Sequence, residues 1–113
     1  MSDVVYINEA EGKKRVLNNG KLYIRLLTMF KADTNMRDLM IHAESQDWEK
    51  AQISAHTLKG NAANLSLTEL FTQSLEAEMQ IKGKALNNET LEKLKACFDE
   101  TLVQIDKVIE QNA

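Results

Sequence analysis

The stretch "DWEKAQISAHTLKGNAANLS", residues 47–66, carries an apolar stripe straight across a glycine. At about 100° per residue, Trp48, Ala51, Ala55, Leu58, Ala62 and Leu65 fall within an arc of roughly 100°, the width of a core-facing helix surface. Ala62 and Leu65 stay in phase with the residues before Gly60. The spacing therefore predicts one uninterrupted helix, capped at its start by Ser45 or Asp47. His56 lies about 135° from the centre of the stripe, among Glu49, Gln52, Lys59, Gly60 and Ala63, and is expected to face solvent. A glycine inside a helix costs about 1 kcal/mol relative to alanine. One turn from an exposed histidine, a missing side chain opens access for a large partner.

The surrounding segments read as further helices. There is no proline, aromatic residues are 5% of the chain, and Leu, Ala, Lys, Glu and Gln are abundant, a composition of strong helix formers. Asn8 with Glu11 resembles a capping box and opens a short helix that ends at "NNG", residues 18–20, where Asn and Gly suit a left-handed C-cap. A helix from Lys21 to about Ala43 is expected, with Tyr23, Leu26, Leu27, Phe30, Met36, Leu39, Met40 and Ala43 as its stripe. Asp33, Thr34 and Asn35 occupy less than one turn of it and need not end it. After the opening stretch, Ser66 with Glu69 predicts a capping box, and Leu65 with Leu70 a hydrophobic staple, for a helix ending near Gly83. The last helix starts at Asn87 or Asn88 and runs to about Glu110, with Leu91, Leu94, Phe98, Leu102, Ile105 and Ile109 on one face. Short connections between amphipathic helices give an all-α, antiparallel up-and-down four-helix bundle with an additional short N-terminal helix. Residues 1–113 are read as one domain, with 1–7 as an N-terminal arm because the β-branched run "VVYI" has no second strand to pair with.

Charge and composition exclude several functions. With 14 Lys+Arg against 17 Asp+Glu and a net charge of -3, no basic block exists to neutralise a nucleic-acid backbone. No apolar run reaches the length of a membrane span or signal core, and the lone Cys97 cannot form an internal disulfide. A cytoplasmic protein is expected, with neither nucleic-acid nor membrane partners. A bundle metal centre would need several converging ligands, such as a Glu-x-x-His pair on each of two helices. Two histidines without such a pair imply no metal, and Cys97 reads as a small packing residue.

An exposed imidazole in water is substantially neutral at cellular pH, and its free ring nitrogen is a competent nucleophile toward phosphorus. Lys59, three residues on, lies on the same surface, where its ammonium can offset the charge of a phosphate on the ring. Exposure suits transfer between proteins. His42, with no lysine and glycine behind it, reads instead as a helix-end or partly packed residue. Met29, Met36, Met40 and Met79 are expected in the core. Ile53 projects to the exposed side near His56 and is a candidate docking residue, with Glu49, Gln52 and Ala63 around it.

"AHTLKG", residues 55–60, resembles the His-x-Leu-Lys-Gly signature of histidine-containing phosphotransfer (Hpt) domains. "GKLYIRLLTMF" and "AESQDWEKAQIS" upstream and "NLSLTELFTQSLEAEM" downstream are similar to the family's flanking helices, so that residues 8–110 fit the pattern. Ala63 and Ser66 depart from it, standing where many members have glycine. The resemblance implies a phosphocarrier of a two-component phosphorelay, of the stand-alone type, with His56 phosphorylated, Lys59 assisting electrostatically and Gly60 admitting the partner. Implied partners are response-regulator receiver domains and a hybrid histidine kinase, with Mg²⁺ on the receiver and no cofactor on this chain. No Gly-rich phosphate loop is present, in keeping with a carrier that has no ATP-dependent kinase activity. A carrier presenting one face is expected to work as a monomer. The alternative is a helical-bundle adaptor that binds a receiver or kinase without being phosphorylated.

Overall fold

The computed structural model describes residues 4–112, so part of the expected arm (1–3) and Ala113 lie outside the described residues. Among the described residues there are six helices and no strand: α1 (Glu9–Arg15), α2 (Gly20–Phe30), α3 (Asn35–Glu44), α4 (Trp48–Asn64), α5 (Thr68–Lys82) and α6 (Asn88–Gln111). α4 packs most extensively on α3 and α5, α6 packs on α5 and α2, and α1 rests on α2. The bundle thus closes as a ring, with α2 and α3 together supplying its first side. Its core includes Tyr23, Leu27 and Leu39, Ala51, Ala55, Leu58 and Ala62 of α4, Leu70, Ala77 and Ile81 of α5, and Leu94 and Ile105 of α6, all buried, with Trp48 half-buried against them.

The continuous helix expected from Lys21 to Ala43 is broken between Phe30 and Asn35. Asp33 is the cause. Its Oδ2 accepts the backbone N–H of Asn35 at 3.1 Å and its Oδ1 accepts the Asn35 side-chain amide at 2.7 Å. A side chain that bonds nearby backbone offers the chain an alternative to the helical ladder, and fewer than four residues then suffice to end a helix. Asn61 on α4 also donates to Asp33 Oδ1, at 3.4 Å, which ties the break to the central helix.

Helix starts follow the expected caps at Asn8, Asp47 and Asn87, whose side-chain oxygens accept the N–H groups of Glu11, Lys50 and Thr90. The start of α5 does not. Its N-cap is Leu67, with no side-chain cap bond, and Ser66 instead sits at φ 56° as the left-handed residue that closes α4. Leu67 N–H donates to the Ala62 carbonyl and Ser66 N–H to the Ala63 carbonyl, the paired bonds of a Schellman motif. The Ser66 hydroxyl turns away to donate to Glu11 Oε1 at 2.9 Å. A glycine at this position would adopt the left-handed conformation without steric cost.

The same closure ends α1 at Leu17, α3 at Gln46 and α5 at Lys84, all with positive φ, whereas no glycine has one. The left-handed stretch expected within "NNG" therefore begins one residue before it, at Leu17, and includes its first residue, Asn18, while Gly20 opens α2 behind the N-cap Asn19. Glycine serves space instead. A Cβ on Gly12 would lie 2.4 Å from the Tyr23 ring, so α1 can press on that ring only without a side chain. The Tyr23 hydroxyl donates to the Leu65 carbonyl at 2.8 Å, and burial pushes its own ionisation up to about 12. Gly12→Ala is expected to cost about 1–3 kcal/mol through overpacking, read by urea denaturation with helix content retained. An unchanged midpoint would remove the close-approach argument.

Candidate functional site

Five of the six residues of the expected stripe are buried, Ala51, Ala55, Leu58 and Ala62 at 0% exposure and Leu65 at 7%, with Ser54 joining them, while Trp48 at the start of α4 is half-buried. Gly60 is inside the helix, and His56 points outward with its side chain 69% exposed. A Cβ on Gly60 would meet nothing within 4 Å. No contact among the described residues requires a glycine there, in contrast to Gly12.

One side chain at the site was not singled out from the sequence. Glu78 of α5 is buried, its side chain only 3% exposed, and it faces both motif residues. His56 Nδ1 lies 3.0 Å from Glu78 Oε2. Lys59 Nζ forms an ion pair with Glu78 Oε1 at 2.6 Å. Burial by itself would push the Glu78 carboxyl up, but the contacts and positive charge of Lys59 and His56 outweigh it and hold the carboxyl below its ordinary value. The only sequence signal was that Glu78 falls on the inward side of α5, one residue after Ala77 and four after Ser74, both at 0% exposure.

An ionised carboxylate only accepts hydrogen bonds. In the neutral ring Nδ1 therefore carries the proton and donates it to Glu78, which leaves the lone pair on Nε2. Glu78 thus orients an exposed imidazole, comparable in logic to the carboxylate of a catalytic triad. Lys59, expected on the same surface with its ammonium in reach of a phosphate on the ring, is engaged by Glu78, and its side chain is only 21% exposed.

Of the other residues expected near His56, Ile53 is 61% exposed and Glu49 is exposed, while Gln52 and Ala63 are half-buried. Met36 is buried and Met40 half-buried, as expected for core, but Met29 and Met79 are 63% and 61% exposed. Met79 adjoins Glu78, and Leu75, one turn away, is also exposed. Together they add an apolar margin on α5 to the surface around His56. His42 is half-buried at the end of α3, in keeping with a packed residue. Cys97 is buried and free, and burial pushes its thiol up to about 11, as fits a packing residue. No group of His, Cys, Asp and Glu among the described residues has the arrangement of a metal site.

The Hpt domain model matches residues 25–105, which span the break after α2, the whole of α4 and α5, and most of α6. The chain belongs to the Hpt domain family. Hpt domains are phosphocarriers in two-component systems rather than kinases, and their partners as a class are receiver domains and kinases. No curated protein and no solved structure matched the chain. Among the described residues no helix is long and apolar enough to cross a membrane.

The Glu78 pairing makes a pH-dependent contribution to stability. Its folded value is lowered, so the contribution is full above the ordinary carboxylate range and is lost as pH falls through the lowered value. Glu78→Gln is expected to cost about 1–3 kcal/mol at neutral pH. In parallel urea titrations the gap between wild type and variant should narrow toward the most acidic pH at which both remain folded. A gap independent of pH would contradict a charged, buried Glu78.

Proposed function

We propose that this Hpt domain relays phosphoryl groups through His56, exchanging them with the aspartate of a response-regulator receiver domain. The observation that carries this reading is the exposed imidazole whose Nδ1 is held by the buried Glu78 carboxylate. In the forward step the Nε2 lone pair attacks phosphorus, the Nε2–P bond forms, and the P–O bond to the receiver aspartate breaks with that carboxylate leaving. The Nδ1 proton stays on the ring. Positive charge develops on the imidazole as the new bond forms, and the Glu78 carboxylate offsets it, as a preorganised charge does in a low-dielectric setting.

Lys59 has two roles in this scheme. Beside Glu78 it keeps the carboxylate ionised, and by swinging its flexible chain outward it brings positive charge to the phosphoryl oxygens. Gly60 leaves room for the receiver, which supplies Mg²⁺ and the acidic pocket. Ile53, with Glu49, Gln52 and Ala63 on α4 and Leu75 and Met79 on α5, forms the docking margin. A hybrid histidine kinase upstream and a cytoplasmic location complete the proposal.

Incubation with a phosphorylated receiver tests it against the adaptor alternative. An acid-labile, base-stable label is expected on this chain and is expected to vanish in His56→Gln; receiver binding without label transfer would establish the adaptor. Lys59→Ala should slow transfer about tenfold, equivalent to about 1.4 kcal/mol for one charge-assisted contact, and unchanged kinetics would remove its role. Gly60→Leu should preserve or raise stability, since the site is open and glycine is a poor helix former, while weakening receiver binding. Normal affinity in that variant would contradict the access argument.

A further inference from the structure

Several helical hydroxyls of this protein are satisfied by their own helix. Thr28, Thr57, Thr72 and Thr101 each donate to the carbonyl four residues before, at Ile24, Ile53, Thr68 and Cys97. Ser74, on the same helix as Thr72, makes no such bond: it is at 0% exposure, and its Oγ has no hydrogen-bond partner among the described residues. A buried hydroxyl without a partner costs stability that a methyl group would not, and alanine is the better helix former. Packing and helix preference therefore both favour alanine at position 74. Ser74 lies one turn before Glu78 on the buried side of α5. Side chains four apart share a helix face, and a long side chain in a helix leans back toward the N-terminus.

We infer that Ser74 is a positioning residue for the relay: its hydroxyl turns to the Glu78 oxygen that Lys59 vacates when the lysine moves to the phosphoryl group on His56. The inference rests on the relay reading for that movement of Lys59. In the resting chain Glu78 Oε1 pairs with Lys59 at 2.6 Å, and Oε2 lies 3.0 Å from His56 Nδ1. Withdrawing the lysine would leave Oε1 buried without a donor, a cost that opposes the swing. The Ser74 O–H supplies that donor. It supplies a hydrogen bond and no charge; charge is balanced by the ring, which is cationic once Nε2 bears the phosphoryl group and Nδ1 retains its proton. No covalent bond changes at Ser74. A donor that stands idle before phosphorylation thus lowers the cost of releasing Lys59 when the phosphoryl group arrives.

A thermal double-mutant cycle on the full chain reads this interaction without phosphate or receiver. In the wild-type background Ser74→Ala should leave the melting temperature unchanged or raise it, since it removes an idle buried hydroxyl. In the Lys59→Ala background, where Glu78 Oε1 is already vacated, the same change should lower the melting temperature by at least about 4 °C. Lys59→Met repeats the cycle with the apolar stem of the lysine kept. With a phosphorylated receiver, Ser74→Ala should slow labelling of His56 about fivefold, the loss of one hydrogen bond to a charged group, at unchanged receiver affinity. A melting-temperature change that is the same with and without Lys59, or labelling as fast as in the wild type, would overturn the inference. A wild-type chain that takes no label overturns the relay reading instead, and the cycle still decides whether Ser74 serves Glu78.

Discussion

A buried carboxylate must be neutralised by a proton or by partners, and Glu78 takes partners: Lys59 and His56 occupy its two oxygens. The geometry around His56 depends on this arrangement. The carboxylate orients the ring, selects the nitrogen that keeps its lone pair, and restrains the lysine that would otherwise extend into water. It does so only because α4 and α5 are packed in a register that sets residue 78 opposite residues 56 and 59. The register is in turn fixed by the three-residue turn at Leu65, Ser66 and Leu67, where α4 closes with Ser66 left-handed and α5 begins at once.

That turn is braced from the other side of the molecule. Tyr23 donates to the Leu65 carbonyl, Asn8 N–H donates to the Ser66 carbonyl, and the Ser66 hydroxyl donates to Glu11. The short helix α1 therefore does more than cover the bundle: it holds the α4–α5 corner on which the Glu78 register depends. Gly12 lets it approach closely enough to do so. The chain uses its glycines at Gly12 and Gly60 for room, one inward and one outward, and gives its left-handed caps to Leu17, Gln46, Ser66 and Lys84.

The α4 stripe, the outward histidine and the helical Gly60 were legible because each follows from periodicity within one helix, and local spacing is enough to settle which face is buried. The break after Phe30 was harder to see, since Asp33 ends the helix with a side-chain bond to Asn35 and a contact to Asn61 far along the chain. Ser66 and Glu69 had the spacing of a capping box, but the serine hydroxyl found Glu11, 55 residues away in sequence. Met29 and Met79 had core-like spacing and lie exposed. The Asp33–Asn61 and Ser66–Glu11 contacts are non-local, beyond the reach of local spacing.

By itself the sequence determined an all-helical bundle, the side of α4 that faces water, and the motif that places the chain among Hpt domains. Those properties rest on intrinsic helix preference and on the period of the apolar pattern, which act over neighbouring residues. Only the tertiary structure decided that Glu78 completes the site and that Lys59 is held beside the ring. These are relations between helices. They depend on register and close packing, so a residue's role is set by what another part of the chain brings within about 3 Å of it.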